Sequence, residues 1–127
     1  MPPSPSELEE TFQALRGLLR RYQPPLIPRV NKSGHFDLWS NKDVVIDGRK
    51  RTEVYFAGVI IQKAYVGLYY MPVYTTPEMK RLFAPELLSL LKGKSCFHIT
   101  TLDARLLAQV KRALEAGFKL YKENGWV

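Results

Sequence analysis

The sequence predicts an α+β domain, an antiparallel sheet of about four to five strands with N- and C-terminal helices packed mainly on one face. Three observations carry this. The stretch 53–74, EVYFAGVIIQKAYVGLYYMPVY, is two aromatic and β-branched runs split by the polar pair Gln62–Lys63, the pattern of a β-hairpin. Apolar residues recur at helical spacing near both ends of the chain. Strands joined by short turns must be antiparallel. At 127 residues the chain is long enough for one domain and too short for two ordinary ones.

Taken in order, residues 1–5 are rich in Pro and Ser and are expected to be frayed, with a single domain over 6–127. Ser6 and Glu9 form an S-x-x-E capping box. Behind it Leu8, Phe12, Leu15, Leu19 and Tyr22 make one apolar stripe. Pro24–Pro25 stops this helix. Residues 26–42 read as an ordered loop with a short strand near 36–39, and Val44–Ile46 as a strand. Asp47–Gly48 is a two-residue turn leading into a long strand from about Lys50. Thr76–Pro77–Glu78 starts a short helix through about Leu82. Pro85 starts another through Leu91, with Gly93 as its C-terminal cap. Ser95–Ile99 is a short strand. From Asp103 a last helix carries Leu106, Leu107, Val110, Leu114, Phe118 and Tyr121 on one face.

Composition narrows the function classes. Hydrophobic residues at 46% and charged residues at 24% are ordinary globular values, and no apolar run approaches the ~20 residues of a spanning helix, so no membrane partner is expected. The N-terminal MPPSPSELEE has no basic region ahead of an apolar core. The lone Cys96 excludes an internal disulfide, and a cytoplasmic location is expected. The net charge of +7 has two readings: a solvated basic surface, or contact with nucleic acid through Arg49, Lys50 and Arg51.

With a turn at Gln62–Lys63, Gly58 opposes Gly67 and Phe56 opposes Tyr69. Alternation then sends Tyr55, Ala57, Val59, Ile61, Val66, Leu68 and Tyr70 to one face, suited to receive helices. The other face carries Val54, Phe56, Gly58, Ile60, Tyr65, Gly67, Tyr69 and Met71. Paired interior glycines ringed by aromatics mark a close approach to the backbone, so Phe56, Gly58, Tyr65, Gly67, Tyr69 and Met71 are candidate ligand-binding residues. A helix or a second copy packing into the same dip is the alternative, which makes a homodimer an expected partner state.

Cys96 and His98 share one strand face and join the candidate site with Lys94, which follows Gly93 ahead of the strand. A thiol beside an imidazole suits a nucleophile pair or half of a metal site, or else a buried structural cysteine beside a hydrogen-bonded histidine. Metal sites want three or four ligands and His35 is the one other histidine, so neither a metal site nor a cofactor is expected. Gly93–Lys94–Ser95 copies the tail of a phosphate loop, but position 88 is Leu88 where that motif needs glycine. The scattered carboxylates Asp37, Asp43, Asp47 and Glu53 nominate no catalytic pair.

YFAGVIIQKAYVGLYYMPVY, PELLSLLKGKSCFHI and LDARLLAQVKRALEAGFKLY together resemble the YdhG-like family of small bacterial proteins, over about Leu8 to Tyr121. Its most specific pieces are Tyr65–Val66–Gly67–Leu68–Tyr69 and Gly93–Lys94. The resemblance implies an intracellular α+β domain whose sheet is backed by terminal helices. It also implies, for some members, frataxin-like iron delivery to iron–sulfur cluster assembly. Such delivery uses carboxylate surfaces, and the acidic cluster of this chain is Glu7, Glu9 and Glu10. The expected function is that of a non-enzymatic small-ligand or protein-interaction module acting through the hairpin face. Nucleic-acid binding and iron carriage are the alternatives.

Overall fold

The computed structural model describes residues 3–127, and they form an α+β fold. Helix α1 (Pro5–Leu19) is followed by a short 3-10 turn, then by strands β1 (Ile27–Lys32), β2 (His35–Ser40), β3 (Val44–Ile46), β4 (Arg49–Arg51), β5 (Val54–Ile61) and β6 (Val66–Tyr70). Helix α2 (Met71–Thr75), a 3-10 turn and helix α3 (Pro85–Ser89) lead to β7 (Leu91–Lys92), β8 (Cys96–Ile99) and the terminal helix α4 (Ala104–Glu123). One antiparallel sheet has the order β1-β2-β5-β6-β8-β7, and β3–β4 make a separate two-stranded sheet. No helix among the described residues is long and apolar enough to cross a membrane.

The capping box of α1 is Ser4 with Glu7, two residues before the expected pair. Both spacings fit S-x-x-E, but only the earlier one puts a proline, Pro5, at the first helical position, where its fixed φ suits the helix. Of the segment expected to be frayed, Met1 and Pro2 lie outside the described residues, while Ser4 and Pro5 are the cap and its first turn. The stripe Leu8, Phe12, Leu15 and Leu19 is buried as read.

Residues 26–42 hold a hairpin where a loop with one short strand was expected. Strands β1 and β2 turn at Ser33–Gly34, with Gly34 at positive φ. Pro28 and the bulge at Arg29 hide this strand in the sequence, and both are tolerated because β1 lies at the sheet edge. The Asp47–Gly48 turn forms with both residues at positive φ, but β4 stops at Arg51 instead of running into the long strand. Past Tyr74 the outcome also differs: Leu91 and Lys92 pair with β8, and Gly93 at φ 73° turns that hairpin instead of capping a helix.

The central hairpin turns over four residues, closed by Gln62 N–H donating to the Tyr65 carbonyl at 2.8 Å. Its register is therefore shifted by two from the expected one: Gly58 pairs with Tyr69, and Gly67 with Ile60. An even shift leaves faces unchanged, so Ala57, Val59, Val66, Leu68 and Tyr70 do point into the core. A bulge against Leu38 and Trp39 reverses the alternation at the start of β5. It turns Phe56 into the core, fully buried against Tyr22, Phe118 and Tyr121, and sends Tyr55 to the opposite face. Helices α1 and α4 close the core over this side, α4 through Val110, Leu114 and Tyr121.

Candidate functional site

The face of the sheet turned away from α1 and α4 is built by two rows in register. One runs Asp37–Gly58–Tyr69–Cys96 and the next His35–Ile60–Gly67–His98. Every member is half-buried except the two glycines, which are buried. A side chain on Gly58 would run into the Asp37 carboxylate and the Tyr55 hydroxyl, and one on Gly67 would come within 3.0 Å of the Tyr69 ring. The dip expected over paired glycines is thus filled by the protein's own Asp37, Tyr55 and Tyr69. The two glycines exist to admit them.

These side chains are already engaged. Tyr55 donates to Asp37 Oδ1 at 3.4 Å, and His35 Nε2 sits 3.1 Å from the same oxygen, off the hydrogen-bonding direction. Gln62 Nε2 donates to the Tyr69 hydroxyl at 3.1 Å. His98 stacks flat on Tyr65, ring centres 3.8 Å apart and planes 12° from parallel. Burial raises the Cys96 thiol pKa, with the neighbouring Tyr69 hydroxyl opposing it, so the sulfur stays protonated near neutral pH and is a poor nucleophile. Burial and then the nearby Asp37 charge raise the Tyr55 phenol, which stays neutral as well. Among the described residues no group of three or more His, Cys, Asp or Glu side chains is placed to hold a metal ion.

Of the nine residues nominated from sequence, Gly58, Tyr65, Gly67, Tyr69, Cys96 and His98 come together on this face. Three do not. Phe56 lies in the core because of the bulge. Met71 has left the strand for the first position of α2, since Pro72 cannot donate to a ladder. Lys94 sits in the β7–β8 turn, its ammonium 5.9 Å from the Tyr74 ring and beside Lys80 rather than beside Cys96 and His98.

Where the open face meets the β3–β4 hairpin there is a cleft of about 610 Å³. Its floor and walls are Trp39, Tyr55, Met71, Tyr74 and Trp126, with Val45, Asp47 and Arg51 supplied by the hairpin. Trp39 stacks obliquely on Tyr55 at 4.9 Å, and Trp126 is fixed against Tyr121 at 5.1 Å, its backbone N–H donating to the Tyr121 carbonyl. Both tryptophans of the chain therefore line one cleft. Sequence reasoning reached Met71 and Arg51 here and missed Trp39, Tyr74 and Trp126. Trp126 stands in the polar tail beyond the last helix, where an aromatic with no strand or helix to serve was the available signal. Arg49, Lys50 and Arg51 form strand β4, all three exposed, with Arg51 lining both the cleft and a second hollow of the hairpin, and Lys50 lining the second hollow alone.

Comparison of the chain with protein-family models, with curated proteins and with solved structures gives no match.

Proposed function

We propose that this protein is a small-molecule-binding module whose ligand sits in the aromatic cleft between the open sheet face and the β3–β4 hairpin. The supporting observation is the convergence of Trp39, Tyr55, Tyr74 and Trp126 on one cleft of about 610 Å³. Small-molecule sites occupy ~300–1,000 Å³ and are apolar and aromatic, with a few polar groups for orientation. Binding rather than catalysis fits the rest of the face, where Cys96, Tyr55 and Tyr69 are held neutral and His98 is stacked. The test is titration with planar aromatic fragments, followed by tryptophan emission. Saturable quenching with one site per chain is expected, weakened about tenfold or more by Tyr74→Ala. Tyr74 is 52% exposed, so its truncation leaves the core intact. A diverse fragment set that leaves the emission unchanged overturns the reading.

A second reading is favoured by one observation, the all-basic strand β4 with all three residues exposed. It is single-stranded nucleic-acid binding, with Arg49, Lys50 and Arg51 on phosphates and bases on Tyr65 or Tyr69. Each neutralised phosphate contributes a slope of about −0.7 in log affinity against log salt, so three give about −2. Affinity that is absent, or flat with salt, removes this reading.

A further inference from the structure

The cleft carries its charges on one wall. Among the described residues that line it, Arg51 is the one cation and Asp47 the one carboxylate, both from the β3–β4 hairpin, while the floor is aromatic. Neither takes part in an ion pair among the described residues, where Arg29–Glu53 is the pair formed by an Arg or Lys side chain. A guanidinium left free beside aromatic rings offers a planar fork to a carboxylate, sulfonate or phosphate and can lie flat on a bound ring. The competing carboxylate is outweighed. Segment 43–51 holds Arg49, Lys50 and Arg51 against Asp43 and Asp47, and the whole chain carries +7, a field that concentrates anions.

We infer that the cleft is selective for planar aromatic anions, the ring held among Trp39, Tyr55, Tyr74 and Trp126 and the anionic group on Arg51. This rests on the cleft being the ligand site. The experiment compares two dyes that share their rings and differ by one sulfonate, anilinonaphthalene sulfonate and neutral phenylnaphthylamine, each read by energy transfer from tryptophan. The sulfonate is expected to bind about tenfold more tightly than the neutral dye at low salt, the effect of one charge-assisted contact. Arg51→Gln is expected to remove that preference, lowering the sulfonate's affinity about tenfold more than the neutral dye's. Lys50→Gln, the same loss of net charge at a residue outside the cleft, is expected to retain it. Equal affinities for the two dyes in the unaltered protein, or equal losses in the two variants, overturn the anion selectivity and leave the cleft standing as an apolar site. Absence of energy transfer with both dyes overturns the cleft reading and the selectivity with it.

Discussion

Gly117 sets how closely helix α4 approaches the sheet. A Cβ there would collide with the Tyr70 hydroxyl and stand 2.8 Å from Pro72 Cγ, so only hydrogen allows the hydroxyl of the fully buried Tyr70 to reach the Ala113 carbonyl. Two effects of Gly117→Ala oppose one another. Alanine gains up to about 1 kcal/mol of helix propensity, while overpacking a rigid core costs about 1–3 kcal/mol and breaks a buried hydrogen bond worth about 1 kcal/mol more. Net destabilisation of about 1–3 kcal/mol is expected, read as a lower urea midpoint. The same logic applies at the bulge, where Tyr121 donates its hydroxyl to the Tyr55 carbonyl. Tyr121→Phe keeps the ring packing and removes that hydrogen bond, so a loss of about 1 kcal/mol is expected by the same measurement.

At the scale of elements, the alternation in β5 and β6 identified the core face, because a side-chain period of two survives any even slip in register. The turn length was not legible. Gln62–Lys63 looks like a complete two-residue turn, and nothing local shows that Ala64 and Tyr65 also leave the ladder so that Tyr65 can lie on His98, a residue 33 positions away by number. The bulge at Phe56 was likewise hidden, since its cause is the aromatic cluster of Tyr22, Phe118 and Tyr121 that receives the ring. The Asp47–Gly48 turn, by contrast, was read correctly from local chemistry alone. The β3–β4 hairpin it closes is a two-stranded sheet of its own, with Val44 and Ile46 packed on the body and Val45 62% exposed. Isolated two-stranded sheets are marginal in water. Amide hydrogen exchange is therefore expected to be faster at Val44–Ile46 and Arg49–Arg51 than in β5 by several orders of magnitude. Equal protection of the two sheets would show that the hairpin is held as firmly as the core and does not open locally.

Across the whole molecule, the fold was more legible than the site. Fold follows from periodicity and turn chemistry spread over the chain, whereas the cleft is assembled from Trp39, Tyr74 and Trp126, which no spacing rule connects. The glycines at 58 and 67 did mark a close approach, made by the Asp37, Tyr55 and Tyr69 side chains of the same sheet face. The buried tyrosines give the molecule a definite alkaline limit. Burial raises the phenols of Tyr55, Tyr70 and Tyr121 above the ordinary value of 10.0. A group whose folded pKa is raised contributes stability that is complete below the unfolded pKa and is lost as pH climbs toward the folded one. Each such tyrosine removes about 1.4 kcal/mol per pH unit above about pH 10, so three remove about 4 kcal/mol per unit. Against a typical stability of ~5–15 kcal/mol, cooperative unfolding is expected between about pH 11 and 13, with tyrosinate absorbance rising in step with loss of circular dichroism. A tyrosinate rise centred near pH 10 for all the tyrosines with the fold intact would show these hydroxyls to be solvated.

The most direct measurement of cleft binding uses the fact that Trp39 and Trp126 are the only tryptophans and both line the cleft. A proton–nitrogen correlation spectrum of the labelled protein therefore has two indole N–H peaks, and both report on that one place. During titration with a planar aromatic carboxylate, both peaks are expected to shift together and saturate at one equivalent, along with the amides of Tyr55, Tyr74 and Arg51. Indole peaks that stay fixed while the carboxylate binds elsewhere, or throughout a diverse series of such compounds, would contradict a ligand site between the open face and the hairpin.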